Sequence, residues 1–479
     1  MTPPTHSSPA SGADPTSGAG RSSDAGSASG AGPTSGAGHA SGTGPEAVGA
    51  GPEAVGASQP RRGISRRAAL GFGAATAATA AGAGALGWFG RGAAEARSGP
   101  RPEDQIVEFY GQHQAGITTP AQDRMCFAGL NVTTDSVDEL RLLLKDWTAA
   151  AARMTRGQET TEGGFDGGSY HAPPEDTGEA FGLTPGHLTI TIGFGRSLFV
   201  DAEGKDRFGL KDRLPEALVE MPHFPADVLD EQRCNGDLCI QACADDPQVA
   251  VHAVRNLIRL GFGTVSTKWM QLGFGRTSST SQAQETPRNL FGFKDGTANI
   301  MAEETDRLDE HVWVRDGSWM DGGSYLCARR IRMILETWDR EPLGGQEAIF
   351  GRTKREGAPL SGGGELDAPD FDMPGSNNQP VIATDAHVRL AHPSQNGGAA
   401  MLRRGYNYAD GTDAQGNIDA GLFFIAFVSD PRTGFIPIQN RLAREDALSE
   451  YLKHTGSAIF AIPPGTAEGG YIGQTLFDS

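Results

Sequence analysis

The chain has 479 residues, of which 38% are hydrophobic and 21% charged, and its formal net charge at pH 7 is -18. This length allows one large domain or two ordinary ones. So acidic a balance argues against nucleic acid as a partner, because phosphate binding needs clustered basic side chains.

Residues 1–60 are predicted to be a disordered, low-complexity leader. They consist almost entirely of Gly, Ala, Ser, Thr and Pro, with repeated SGAG and GPEAVGA units. Such a segment has too few large apolar side chains to offset the entropy that it would lose on ordering.

Residues 61–96 have the order of an export signal. Arg61-Arg62 and the sequence SRRAAL at 65–70 precede an uncharged Ala/Gly-rich run to about Phe89, and Ala94-Glu95-Ala96 follows. A basic region, a mildly apolar region and a small-residue cleavage site are typical of a signal peptide. We predict export by the twin-arginine translocase to the periplasm, the cell envelope or the exterior. Because the apolar run could span a bilayer, a membrane anchor is the alternative.

The five cysteines do not have the spacing of a zinc site, and the CxxCH motif that attaches haem covalently is absent from the sequence. The odd count leaves at least one thiol unpaired. A bridge from Cys234 to Cys239 or to Cys243 is left open by the sequence.

Two helices and a strand are predicted in the N-terminal half. Residues 136–155 place apolar side chains on one helical stripe, and Ser136 and Glu139 have the spacing of a capping box. A second helix is predicted to begin at Asp246-Pro247, where an N-cap acid precedes a proline in the first turn. The alternation in Leu188–Ile192 predicts a half-buried strand.

After a stretch rich in Ser, Thr and Gln at 277–286, strand and helix patterns return. The predicted elements are strands at Tyr325–Met333, Leu422–Val428 and Ala458–Ile462, and a helix at Arg444–His454 ended by Gly456. We therefore predict an α+β fold of two ferredoxin-like units, residues 100–284 and 285–479. Each unit would carry helices on one face of a mainly antiparallel sheet.

Three separated segments carry side chains that could take part in catalysis or bind a cofactor. They are Gly292-Phe293-Lys294-Asp295-Gly296, the segment 384–393 with His387, and the sequence MLRRGY at 401–406 with Arg403. Each alone has an ordinary structural interpretation: a turn, a satisfied polar histidine and a solvated arginine pair.

Together and in this order, the three segments resemble the dye-decolourising peroxidases. That family carries a GxxDG motif, a later axial histidine and an arginine in an LRRGY-like strand. Shorter agreements cover most of the chain after Gln105, among them GQHQAGI at 111–117 and GRTK at 351–354. The chain is similar in particular to the subgroup with twin-arginine signals, which includes the deferrochelatases of iron-uptake systems. The resemblance implies a dimeric α+β barrel type of fold, in which the C-terminal unit holds non-covalently bound haem b.

The resemblance also implies a role for each site residue. His387 would be the axial ligand of the iron, Asp295 the proton shuttle, and Arg403 the stabiliser of negative charge on the departing oxygen. The small residues Gly296, Thr297 and Ala298 would let the backbone approach the haem edge.

The chain departs from its subgroup just after the axial histidine. Where relatives often have Asn-Pro-Arg, this chain has His392-Pro393-Ser394. Ser394 cannot pair with a haem propionate as an arginine would. His392 is also a second candidate ligand of the iron, although His387 agrees better with the motif. By position, His392, Pro393, Ser394 and Arg403 are all predicted to contact the haem.

The expected reaction is the reduction of hydrogen peroxide, coupled to oxidation of a dye or another aromatic reductant. We expect an acidic pH optimum, because an aspartate keeps its basic form at lower pH than a histidine does. The alternatives are a deferrochelatase, which takes iron from haem and leaves the porphyrin intact, and a non-catalytic exported haem-binding protein. Iron-transport partners and a homo-oligomer are left open.

Overall fold

The computed structural model describes residues 101–295, 297–376 and 378–478. The leader and export signal predicted for residues 1–96, and Gly296 of the predicted haem edge, lie outside the described residues. Within those ranges, no helix has both the length and the apolarity to cross a membrane.

The described part of the chain forms a sheet with helices packed around it. The strands are β1 (Arg124–Val132), β2 (Thr189–Gly195), β3 (Leu238–Ala244), β4 (Val265–Arg276), β5 (Ser324–Met333), β6 (Leu402–Arg403), β7 (Tyr406–Thr412), β8 (Ile418–Val428) and β9 (Leu452–Ile462). The α-helices are α1 (Val137–Met154), α2 (Pro247–Leu260), α3 (Thr305–His311), α4 (Leu335–Trp338), α5 (Leu343–Phe350), α6 (His387–Ala391), α7 (Pro431–Gly434), α8 (Ile436–Glu445) and α9 (Gln474–Phe477). Short 3-10 helices lie at Pro102–Gln105, Arg196–Leu198, Lys211–Arg213, Glu231–Arg233, Pro393–Gln395 and Ala447–Tyr451.

The strands run in the order β5-β9-β2-β3-β1-β4-β7-β8-β6, and β5 also pairs with β8. This last pairing closes eight strands into a barrel and leaves β6 beside β8. Every pairing between these strands is antiparallel, and β2–β9 and β4–β7 join the N-terminal strands to the C-terminal ones. The α+β prediction with antiparallel sheets is confirmed.

The two predicted N-terminal helices are confirmed as α1 and α2. The Ser136 hydroxyl accepts a hydrogen bond from the Glu139 amide, but the Glu139 carboxylate accepts from the Thr134 hydroxyl. Only the serine half of the predicted capping box is therefore present. The two helices are joined by the fully buried Trp147, whose indole N–H donates to the Leu257 carbonyl at 2.7 Å.

The helix predicted at Arg444–His454 is wrong. Helix α8 ends at Glu445, a 3-10 turn spans Ala447–Tyr451, and β9 begins at Leu452. Tertiary structure overrides the helical pattern of this segment, because residues 452–462 of β9 pair with β5 and His454 lies opposite Ile331. The predicted strands at 325–333, 422–428 and 458–462 are confirmed within β5, β8 and β9.

All five cysteines are buried and free, so neither candidate bridge to Cys234 forms. Burial raises the pKa of the Cys126 thiol to about 12, and the neighbouring Cys243 adds to the shift. These buried thiols behave as small apolar side chains of the protein interior.

Candidate active site

His387 is the first residue of α6, and its imidazole is held by Asp446. His387 Nδ1 lies 2.6 Å from Asp446 Oδ2, and the Asp446 side chain is only 3% exposed. Burial lowers the pKa of His387, but the charge and hydrogen bond of Asp446 outweigh burial and leave that pKa raised. Because an ionised carboxylate only accepts, Nδ1 is the donor, and the lone pair of the neutral ring resides on Nε2.

The His387 side chain is partly accessible. About 31% of the side-chain surface is exposed, and the described residues make no hydrogen bond to Nε2. The edge of the ring packs near Phe350, with 5.9 Å between the ring centroids. An imidazole fixed through Nδ1 by a carboxylate is the usual state of a metal-binding histidine, so His387 Nε2 is suited to bind a metal ion.

Asp446 is a partner of His387 that the sequence did not reveal. Its Oδ1 accepts from the Leu448 amide at 2.9 Å and caps the 3-10 turn, while its Oδ2 holds His387. The Ala447 amide also donates to the Asp385 carbonyl, which ties this turn to the segment before α6. Since Asp446 follows His387 by 59 residues, no local pattern could have identified the pair.

Asp295 and Arg403 form an ion pair. Arg403 Nη1 donates to Asp295 Oδ1 at 2.7 Å, and the two side chains are 23% and 20% exposed. Among the described residues, the other carboxylate oxygen, Oδ2, has only a 3.5 Å contact with the Asn289 amide group. One oxygen of Asp295 is therefore available to take a proton from a bound molecule.

Asn299 fixes the backbone at Arg403, and it too was not predicted. Its Oδ1 accepts from the Arg403 amide at 2.7 Å, and its Nδ2 donates at 2.8 Å to the carbonyls of Arg403 and Ser279. Asn299 is only 4% exposed. This clamp joins the segment that follows Asp295 to β6, so the carboxylate and the guanidinium are positioned together.

The two groups of residues lie close enough to influence each other. After the effects of burial and Asp446, the charge of Asp295 raises the pKa of His387 and that of Arg403 lowers it. Three segments that are distant in sequence are thus brought to one region of the molecule.

The other predicted contact residues lie beside this region. Thr297 is half-buried and Ala298 is exposed, and their contact with haem stays a prediction. His392 ends α6, and its Nδ1 accepts from the Ser394 amide at 3.2 Å, with Pro393 between them at the start of a 3-10 turn. Among the described residues His392 has no carboxylate partner, so it lacks the support that His387 receives from Asp446.

Two family models match the chain. Residues 114–275 match the model described as Dyp-type peroxidase, N-terminal, and residues 286–467 match Dyp-type peroxidase, C-terminal.

Similar proteins agree in sequence and in structure. A deferrochelatase of Escherichia coli K12 is 38% identical over 386 residues, which cover 79% of this chain and 88% of the relative. Ferric DtpA from Streptomyces lividans superposes with a TM-score of 0.71 at 39% identity and covers 80% of this chain and 100% of its own. A DyP-type peroxidase from Streptomyces coelicolor gives a TM-score of 0.71 at 40% identity, covering 78% and 97%.

Proposed function

Because this chain belongs to the Dyp-type peroxidase family, we propose that His387, Asp295 and Arg403 carry its haem-dependent reduction of peroxide. The chain is a haem peroxidase that uses peroxide and a reductant, and its haem is bound non-covalently. The observation that carries the assignment of roles is the pairing of a carboxylate-supported histidine with a nearby Asp–Arg pair.

Bound haem supplies the redox-active iron at which the oxygen–oxygen bond of peroxide is broken. His387 Nε2 would hold that iron, since it is the nitrogen left open by the Asp446 hydrogen bond. Asp446 keeps the ring in one orientation and makes it a more basic ligand. The residues present therefore fit a haem with one protein ligand.

Asp295 and Arg403 would handle the proton and the charge of peroxide. Asp295 Oδ2 would accept a proton from one oxygen of peroxide and return it to the other, which would leave as water while bound haem supplies the two electrons. Arg403 would stabilise the negative charge that grows on the departing oxygen. The 2.7 Å contact between the two residues places base and cation around the same small molecule.

Stopped-flow absorbance with peroxide tests these roles. Arg403→Leu should keep haem but react about 10²-fold more slowly or worse, as expected when an electrostatic donor is lost. His387→Ala should lose haem or bind it with an altered spectrum. Arg307→Leu is the matched control, because it removes an arginine ion-paired with Glu304 on α3 outside the site. A rate for Arg403→Leu equal to that of the control would refute the role given to Arg403.

Deferrochelation is the second candidate, because the E. coli relative at 38% identity carries that name. It would use the same haem site, so product analysis separates the two reactions. Iron-free protoporphyrin formed from haem without peroxide supports deferrochelation, whereas a dye that is oxidised only with peroxide supports peroxidation. A non-catalytic haem-binding role would require neither Asp295 nor Arg403, and their ion pair argues against it.

We further propose an aromatic or dye-like reductant and export by the twin-arginine route. The support for export is the SRRAAL sequence at 65–70, followed by a mildly apolar run. Replacing Arg66 and Arg67 with lysine should retain the protein in the cytoplasm, and unchanged export of that variant would contradict the route. Iron-transport partners and a homo-oligomer stay predictions.

A further inference from the structure

Arg352 is a buried cation next to the active site. The residue is 7% exposed, and its Nη1 donates to the carbonyls of Gly357 at 2.7 Å and Glu365 at 2.9 Å. Its guanidinium forms no ion pair within 4.0 Å among the described residues. A buried charge without an anionic partner is costly, so such a group is expected where an anion binds.

The loop around Arg352 is built to hold this side chain in place. The Thr353 amide donates to the Ala358 carbonyl at 2.8 Å, and the Gly357 amide donates to the Thr353 carbonyl at 3.0 Å. The Leu360 amide closes the loop by donating to the Gly351 carbonyl at 3.1 Å. These bonds fix the backbone that carries Arg352.

The same loop packs against the helix that carries His387. Gly351 has a φ of 78° and ends α5, and a Cβ added there would lie 2.6 Å from Val388 and 3.3 Å from Ala386. These two residues flank His387. Close packing of Gly351 thus brings Arg352 to the edge of the axial ligand's helix.

The charge of Arg352 interacts with other charged groups of this region. Burial lowers the pKa of Arg352, the charge of Glu365 raises it, and the charge of Arg403 lowers it further. Burial also lowers the pKa of His392, and the charge of Arg352 adds to that effect. The Glu365 carboxylate is itself bound by the Lys294 ammonium group, so it does not neutralise Arg352 by direct contact.

We propose that Arg352 binds a carboxylate of the haem and so supplies the positive charge that Ser394 cannot. The inference rests on the proposed haem site and adds a positioning residue to it. The porphyrin carries its two propionates on one edge, and a guanidinium can bind a carboxylate through two parallel hydrogen bonds. The proximity of Arg352 to the His387 helix fits a group that fixes the rotation of the porphyrin about the iron–histidine axis.

Equilibrium titration of the full-length apoprotein with two porphyrins tests the proposal. Iron protoporphyrin IX has free propionates, whereas its dimethyl ester has the same ring and iron without the negative charges. For Arg352→Gln, the affinity for iron protoporphyrin IX should fall about 10- to 100-fold, as for a lost hydrogen bond to a charged group. Its affinity for the dimethyl ester should stay at the wild-type level, and Arg352→Lys should recover part of the lost affinity.

Arg389→Gln is the matched control, because Arg389 also donates to a backbone carbonyl, that of Phe371 at 2.7 Å. It should change the affinities for both porphyrins by the same factor. If Arg352→Gln behaves in this way too, or changes neither affinity, the proposal is overturned. A wild-type protein that binds neither porphyrin, or a His387→Ala variant that binds both normally, would instead overturn the proposed haem site.

Discussion

Replacement of Asp446 with asparagine tests how the protein supports His387. The wild-type carboxylate uses one oxygen for each neighbour, Oδ2 for the His387 ring at 2.6 Å and Oδ1 for the Leu448 amide at 2.9 Å. Asparagine has almost the same shape but only one oxygen. Either the imidazole N–H or the backbone N–H must then face an NH2 group, and the buried negative charge is lost.

The expected loss of haem affinity follows from that geometry. Loss of a partner that orients a metal-binding histidine typically lowers metal affinity about 10- to 100-fold. We expect a loss in this range for haem binding by Asp446→Asn, together with a higher midpoint potential of the iron because the imidazole donates less electron density. In the apoprotein the pKa of His387 should fall, since the charge and hydrogen bond that raise it are gone.

Three measurements check this expectation: haem transfer to excess apomyoglobin, redox titration, and NMR titration of the His387 ring in the apoprotein. Asp385→Asn is the control, because it removes the same charge from an exposed side chain just before α6. If the two variants have equal haem affinity, potential and His387 pKa, then Asp446 does not tune the ligand and the reasoning fails.

Three further variants test the positions around the site and in the core. Asn299→Ala should slow the reaction with peroxide about tenfold or more while haem still binds, because Arg403 loses its clamp; an unchanged stopped-flow rate would contradict this. Burial and a nearby buried arginine lower the pKa of His454 to about 3. Below about pH 6.5, His454 is therefore protonated in the unfolded chain but stays neutral in the folded chain. As a result the free energy of unfolding falls by about 1.4 kcal/mol per pH unit down to about pH 3. His454→Gln should remove this part of the acid-side loss in urea unfolding at pH 7 and pH 5, so parallel losses in both proteins would refute it. Trp147→Ala should cost about 3–5 kcal/mol of unfolding free energy, and Leu142→Ala, at an exposed position of the same helix, should change it by less than about 0.5 kcal/mol.

Sequence patterns predicted those helices and strands whose formation depends on interactions between residues close together in the chain. Helix α2 begins at the predicted acid and proline, because an N-cap and a first-turn proline act within a few residues. The helix at Arg444–His454 failed because strand pairing with β5 decides the structure of that segment, and the sequence does not show this partner. Apolar residues that recur every 3.6 or every 2 positions show that one face of a helix or strand is buried, but they do not show which distant strand packs against that segment.

The residues of the candidate site likewise fall into those that the sequence could predict and those that it could not. Asp295, His387 and Arg403 could be named because they stand in motifs that resemble a known family. Asp446 and Asn299 could not, since each acts on a residue 59 or 104 positions away through contacts that only the folded chain creates. The residues proposed to act on peroxide or iron stand in recognisable motifs, whereas those that hold them in place are a single acid and a single amide outside any motif.

The neighbour of Arg403 shows why the N-terminal half matters for a site built mainly from C-terminal residues. Arg404 is fully buried, and its guanidinium donates to the Thr119 carbonyl and to the Gln122 side chain, both in the N-terminal half. Its amide also donates to the Ile425 carbonyl of β8 at 2.8 Å. Successive residues of an extended chain point to opposite sides, so fixing Arg404 on one side directs Arg403 to the other, toward Asp295. The direction of the arginine assigned to peroxide therefore depends on contacts between the two halves, and a C-terminal half alone would not be expected to hold it.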